Sequence, residues 1–287
     1  MAKRKRIIYL ISRAKNKIYC IFITSIVFRL KNKFDSIFPS VQLRNRYLSL
    51  VQGCLIGTIY EDKPLPVLGY DKYDQNLREH GCDWPSLAHS MIGVKRMTNL
   101  RYLSELVIYK RIPGDFIETG VWRGGACIMM RAVLEAYGIQ ERKVWVADSF
   151  EGLPSPDEKN YPEDKGQNFH TYKDLSVSFE EVKNNFSKYN LLDQQVIFLK
   201  GWFKDTLPTA PIKKLALLRL DGDLYESTIQ VLEALYDKVS IGGFIIIDDY
   251  HVVDACKKAV HDFCKSRNFI PNIQEIDGVG IFWKKMN

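Results

Sequence analysis

No run of this 287-residue sequence approaches the ~20 consecutive apolar residues of a spanning helix. The longest, Ile18–Phe28, is followed by Arg29-Leu30-Lys31 and not by the small residues of a cleavage site. Cysteine is sparse, six in all, with no C-x-x-C pair and no zinc-type spacing. Free thiols in a reducing, cytoplasmic setting are therefore expected in preference to a disulfide framework. The five histidines form neither H-x-x-x-H nor H-E-x-x-H, so a zincin-type helix is excluded. No G-x-x-x-x-G-K-[ST] loop and no G-x-G-x-x-G turn occurs. With 46% hydrophobic and 26% charged residues, a disordered or collagenous chain is excluded too.

Acid is missing from one place in particular. Residues 1–34 carry ten Lys and Arg and no Asp or Glu. The other residues hold 31 basic against 34 acidic groups, so the net charge of +7 belongs to this arm and the body is near neutral. The body is not a nucleic-acid binder. In the arm, short apolar runs alternate with clustered cations, the pattern of an interfacial helix on an anionic leaflet at the inner face of a membrane. The competing reading is an arm that packs on its own body or on a partner subunit. Monomer and homo-oligomer both stay open.

Three segments follow: the basic arm 1–34, a helical cap or lid 35–110, and a main domain 111–287. Tyr60–Asp74, rich in Pro, Gly and Asp, reads as a loop. Apolar spacing predicts a helix over Leu87–Tyr109. From Asp115 short β-branched runs alternate with helical stretches. Strands are predicted at Asp115–Thr119, Lys143–Asp148, Gln195–Leu199, Leu215–Leu220 and Gly243–Ile247. Two more follow near Gln274–Ile276 and Gly280–Trp283. Near-continuous apolar strands between helices mean an α/β fold, a mostly parallel sheet covered on both faces.

In such sheets ligands sit outside the carboxyl ends of the strands. The first strand ends in Glu118-Thr119-Gly120-Val121-Trp122-Arg123-Gly124-Gly125, an acidic residue and a Gly-rich turn opening a helix. That suits an amino-acid moiety better than a pyrophosphate, the alternative being a turn without a ligand. The second ends in Asp148, which can accept both hydroxyls of an adenosine ribose or simply cap a helix. The pair Glu118 and Asp148 points to a nucleoside ligand. The fourth and fifth strands end in Asp221-Gly222-Asp223 and Asp248-Asp249. Four carboxylates at neighbouring strand ends repel one another, so a cation is expected among them. Oxygen ligands alone suit Mg²⁺ or Ca²⁺. The bland alternative is one capping carboxylate with the others solvated.

The strings Leu220-Asp221-Gly222-Asp223-Leu224-Tyr225-Glu226-Ser227-Thr228 and Glu118–Gly125 resemble the macrocin O-methyltransferase family. So do Asp148-Ser149-Phe150-Glu151-Gly152-Leu153-Pro154, Lys200-Gly201-Trp202-Phe203, Asp83-Trp84-Pro85, Ala88–Gly93 and Ile247–Tyr250. The likeness runs from about Tyr47 to the C-terminus; the basic arm is a departure from it. The resemblance implies a Rossmann-like class I methyltransferase fold with a seven-stranded sheet behind a helical N-terminal cap. It implies S-adenosylmethionine and Mg²⁺ as cofactors and a sugar hydroxyl as acceptor, on a glycoside, glycolipid or polysaccharide precursor. Carried over motif by motif, it makes Asp221, Asp248 and Asp249 metal ligands and Asp223 the general base. Glu118, Thr119, Gly120, Val121 and Trp122, with Asp148, Ser149, Phe150, Glu151 and Gly152, would embrace the cofactor. Met91 and Ile92 would close over it, and Trp202 would lie near the adenine. Two rival readings are a metal-dependent glycosyl- or phosphoryl-transfer enzyme using the D-x-D pair, and a non-catalytic membrane adaptor that keeps the fold.

Overall fold

The computed structural model describes residues 39–286. The basic arm and its proposed membrane contact lie outside the described residues. Among those described, no helix is long and apolar enough to cross a membrane. Helix α1 spans Pro39–Leu55, and its second half, from Leu48, belongs to the same compact unit as everything after it. Helices α2 (Gln75–His80) and α3 (Gly93–Tyr109) follow.

The predicted helix from Leu87 begins only at Gly93. Asp62 is the reason. Its carboxylate accepts from Ser86 Oγ at 2.7 Å and from the amides of Leu87 and Ala88 at 2.8 and 2.7 Å, so these amides are taken in an extended turn. Gly93 then turns through a left-handed φ of 72°, and a Cβ there would stand 2.3 Å from the nitrogen of Gly81. The buried Arg78 locks the same region, bonding Asp83 and the carbonyls of Ile56 and Asp62.

The sheet carries strands β1 (Asp115–Thr119), β2 (Val144–Asp148), β3 (Val196–Lys200), β4 (Leu215–Leu220), β5 (Val239–Ile247), β6 (Gln274–Glu275) and β7 (Ile281–Lys284). Between them lie α4 (Gly125–Ala136), α5 (Phe179–Lys188), α6 (Phe203–Thr206), α7 (Tyr225–Leu235) and α8 (Asp254–Ser266). The strand order is β3-β2-β1-β4-β5-β7-β6, with β7 antiparallel to both neighbours and every other pair parallel. The chain leaves β1 in both directions across the sheet, which makes the β1/β4 junction the topological switch point.

Side chains alternate across the strands. Ile117, Trp145, Ala147, Ile245 and Ile247 pack with Val231, Leu235, Val260 and Phe263 of α7 and α8. The opposite face meets α3 and α4. Helix α4 is buried along most of its length, as its apolar sequence requires. Helix α5 starts with an N-cap, Ser178 Oγ accepting from the Glu181 amide at 3.2 Å. Strands β1, β4 and β5 end in register, Thr119 beside Leu220 and Leu220 beside Ile247. That register brings the three motif-bearing turns together.

Candidate active site

A cavity of about 670 Å³ opens at the carboxyl ends of these strands, within the usual range for a small-molecule site. Gly120 and Trp122 enter it from the β1 turn, and Asp148, Ser149 and Gly152 from the β2 turn. Trp202 lines it from the turn after β3 and Met91 from the cap. Asp221, Asp223, Asp248 and Asp249 complete it from the ends of β4 and β5. The other predicted site residues do not face it. Ile92, Glu118, Thr119, Val121 and Phe150 are buried, and Glu151 is exposed.

Two turns are forced into contact. Gly120 has φ 85°, and a Cβ on it would sit 1.7 Å from the carbonyl oxygen of Asp221. Only glycine lets β1 and β4 close so tightly. Trp122 and Asp223, neither of them glycine, are held at φ 46° and 56°. Such conformations persist where surrounding structure over-determines them, and they concentrate at functional sites.

Asp148 is half-buried and already bonded. Its Oδ2 accepts from the Val121 amide and its Oδ1 from the Phe150 amide, both at 2.7 Å. The carboxylate thus clamps the β1 and β2 turns to each other. Ser149 Oγ also donates to Oδ1, at 3.4 Å, so it is Oδ2 that keeps a further lone pair for a ligand, and a ligand hydroxyl at Oδ1 would displace the long Ser149 bond. Burial raises its pKa, and the backbone amides of Val121 and Phe150 work against that rise.

The carboxylate cluster is organised by two arginines that the motif reading passed over. Arg219 is the one charged residue in the otherwise apolar β4, and it is fully buried. Its side chain points to the α3/α4 face, where its strand neighbours are Glu118 and Ile246. It bonds Glu118, reaches Asp221 at 2.8 Å and reaches Asp248 Oδ1 at 2.5 Å. Arg96 of α3 takes the other oxygen of Asp248 and bonds Asp277 at 3.0 Å. A buried arginine inside an apolar strand was the sequence signal for Arg219. Arg96 gave none, since a lone arginine in the first turn of a helix of mixed polarity has no local mark of its distant partners.

Two guanidiniums do not balance the six carboxylates of Glu118, Asp221, Asp223, Asp248, Asp249 and Asp277. One ligand oxygen each from Asp221, Asp248 and Asp249 lies within 4.8 Å of the others. Burial pushes the Asp223 carboxyl up to about 7, with Asp221 and Asp248 adding to it. Asp249 is driven well above the carboxylate range by burial, then by Asp223 and Asp221. Glu118 rises to about 7 through burial, despite Arg219. An oxygen-only donor set with uncompensated negative charge is what a hard divalent cation fits.

This sheet order, with a cavity at the switch point walled by a Gly-rich β1 turn and an acidic β2 end, defines a class I S-adenosylmethionine-dependent methyltransferase. The chain belongs to the macrocin O-methyltransferase (TylF) family, whose model matches residues 48–285. It is 51% identical over 243 residues to the 8-demethyl-8-(2,3-dimethoxy-alpha-L-rhamnosyl)-tetracenomycin-C 4'-O-methyltransferase of Streptomyces olivaceus, covering 84% of this chain and 93% of that one. It is 46% identical over 244 residues to the mycinamicin III 3''-O-methyltransferase of Micromonospora griseorubida, covering 83% and 96%. Among solved structures, the O-methyltransferase NovP superimposes with a TM-score of 0.82 at 48% identity, covering 85% of this chain and all of that one. The protein is an O-methyltransferase. That decides against the glycosyl- or phosphoryl-transfer alternative and against a non-catalytic adaptor.

Proposed function

We propose that the protein methylates a sugar hydroxyl of a glycoside, glycolipid or polysaccharide precursor, using S-adenosylmethionine and Mg²⁺. The observation that carries this reading is the single cavity shared by the clamped Asp148 turn and the Asp221, Asp223, Asp248 and Asp249 cluster. The relative at 51% identity is named for methylation of a rhamnosyl compound, so a rhamnoside is the first acceptor to test.

The β1 and β2 turns, Glu118–Trp122 and Asp148–Gly152, form the cofactor cradle in this reading. Gly120, Trp122, Asp148, Ser149 and Gly152 face the ligand, while Glu118, Thr119, Val121, Phe150 and Glu151 support the turns. Asp148 takes the ribose hydroxyls, Trp202 lies by the adenine, and Met91, backed by the buried Ile92, closes from the helical cap. Asp221, Asp248 and Asp249 hold the metal. When bound, S-adenosylmethionine supplies an electrophilic methyl group and Mg²⁺ lowers the pKa of a coordinated hydroxyl. Asp223, held in its left-handed turn at the cavity wall, accepts the acceptor's proton as the oxygen attacks. Arg219 and Arg96 orient Asp248 and keep its charge paired. The apolar walls exclude water, which favours a step in which charge is lost. The basic arm 1–34 is the part we assign to peripheral contact with an anionic leaflet, on its ten cations and its lack of acid.

The test is transfer of labelled methyl from S-adenosylmethionine into a glycolipid or polysaccharide fraction, with Mg²⁺ and then with EDTA. Label in the sugar fraction with Mg²⁺ only is expected. Full transfer in EDTA removes the metal from the mechanism. Label confined to protein or nucleic acid overturns the acceptor class.

A further inference from the structure

A second cavity, of about 550 Å³, opens beside the first. Phe203, Lys204, Glu226 and Gln230 line both, so the two meet along these residues. Methyl transfer as described above makes no use of it.

One wall is helix α7. Glu226, Gln230 and Ala234 are spaced four residues apart and share a face. The helix rises about 12 Å over that span, leading away from Asp223. The facing wall is a turn of the insert after β2, carrying Asp157, Asn160 and Tyr161.

That turn is pinned. Helix α7 has Leu224 at its N-cap, which offers no capping side chain. The cap comes instead from Asp164, fully buried at the end of the same turn. Its carboxylate accepts from the Tyr225 amide at 2.7 Å and the Glu226 amide at 3.0 Å. Two otherwise unpaired amides are satisfied across 61 residues of chain, so the insert and the helix that follows Asp223 are held together.

The chemistry of the walls is mixed. Gln230 donates to Glu226 at 2.9 Å and Asn160 donates to Asp157 at 2.6 Å. Each pair retains an amide carbonyl and free carboxylate lone pairs as acceptors, with a second amide hydrogen to donate. The Tyr161 ring stands beside them. Hydroxyls that both donate and accept, with an apolar C–H face, are what a pyranose offers such a surface. Asp157, Glu226 and Glu233 outweigh Lys204, so a diphosphate or a uronate meets repulsion there.

We propose that this cavity is a second acceptor subsite, holding a neutral sugar unit next to the one being methylated. The proposal rests on the sugar-acceptor reading and narrows it: the acceptor is an extended glycoside, not a nucleotide-activated monosaccharide.

The test is calorimetric titration of the full chain with S-adenosylhomocysteine and MgCl₂ present. The three probes are methyl α-L-rhamnoside, the corresponding methyl dirhamnoside and thymidine diphosphate rhamnose. The dirhamnoside is expected to bind at least about tenfold tighter than the monosaccharide, the scale of a second polar subsite. Tyr161→Ala and Asn160→Ala, which touch only the second cavity, should each shrink that ratio. Equal binding of the two glycosides overturns the subsite. So does a ratio that survives in both variants, or a nucleotide sugar that binds tightest. Binding of none of the three sinks the sugar-acceptor reading itself, and the subsite with it.

Discussion

Arg219 of β4 donates to Asp248, just past β5, at 2.5 Å, and the same guanidinium bonds Glu118 of β1 and Asp221 beyond its own strand. One buried cation therefore ties together three strand ends around the cavity. Replacing it with methionine would nearly keep the volume and leave Glu118, Asp221 and Asp248 without their shared cation, and Glu118 would be driven further toward its protonated form. Breaking such a pair from one side costs about 3–5 kcal/mol. Chemical denaturation of Arg219→Met should show a loss on this scale, and adding Glu118→Gln should restore a good part of it. An unchanged midpoint in the single variant would mean that the ion pair contributes nothing.

This hub separates what was legible in the sequence from what was not. The strands β1, β2, β4 and β5 could be read within a residue or so at their carboxyl ends, because a buried parallel strand is a short apolar run. The α/β topology made the fourth and fifth strands neighbours, and with that came the expected meeting of Asp221, Asp223, Asp248 and Asp249. The start of α3 could not be read. Its apolar periodicity extends back to Leu87, but Asp62, 25 residues upstream, captures the Leu87 and Ala88 amides. The salt-bridge partners were equally hidden. Glu118 looks like a ligand contact from its place in a motif, yet alternation turns it to the α3/α4 face, toward Arg219 and Cys127. Arg96 and Asp164 act through contacts far along the chain, for which local pattern has no signal.

Gly120→Ala tests the close approach of β1 and β4. The new methyl would overlap the Asp221 carbonyl and the residue would need a left-handed backbone. The backbone strain alone is about 1–3 kcal/mol. The Tm should fall and binding of S-adenosylhomocysteine should weaken together. A variant of normal stability and normal affinity would show that the two turns can separate freely.

Asp148→Ala removes both the turn clamp and the acceptor assigned to the ribose. Hydrogen bonds to a charged group contribute about 1.5–3 kcal/mol each, so cofactor affinity should drop at least about tenfold in calorimetry. Asp148→Asn keeps one carbonyl acceptor and should retain part of the affinity. Its new amide hydrogens would oppose the Val121 or Phe150 amide, so full retention is not expected. Unchanged affinity in the alanine variant defeats the ribose assignment.

Asp223 and Asp221 stand two residues apart at one cavity, yet they are held differently. Asp221 is bonded to Arg219 at 2.8 Å and belongs to the three-carboxylate cluster. Asp223 has no ion pair among the described residues; its own amide donates to Asp249 at 3.3 Å. Burial and the Asp221 charge bring its carboxyl to about 7, which suits a base working near neutrality. A raised pKa means that the ionised, proton-accepting form is lost as pH falls through about 7, so kcat should decline on the acid side there. A bound cation among the neighbouring carboxylates favours the ionised form and should move that limb to lower pH. Asp223→Asn should leave cofactor and metal binding nearly intact, lower kcat by about 10²–10⁴-fold and abolish the acid limb. Asp221→Asn removes a ligand charge instead, so it should raise the Mg²⁺ concentration needed and be rescued in part by excess metal. If extra Mg²⁺ rescues Asp223→Asn as well, Asp223 is a ligand, and solvent takes the proton from the metal-bound hydroxyl.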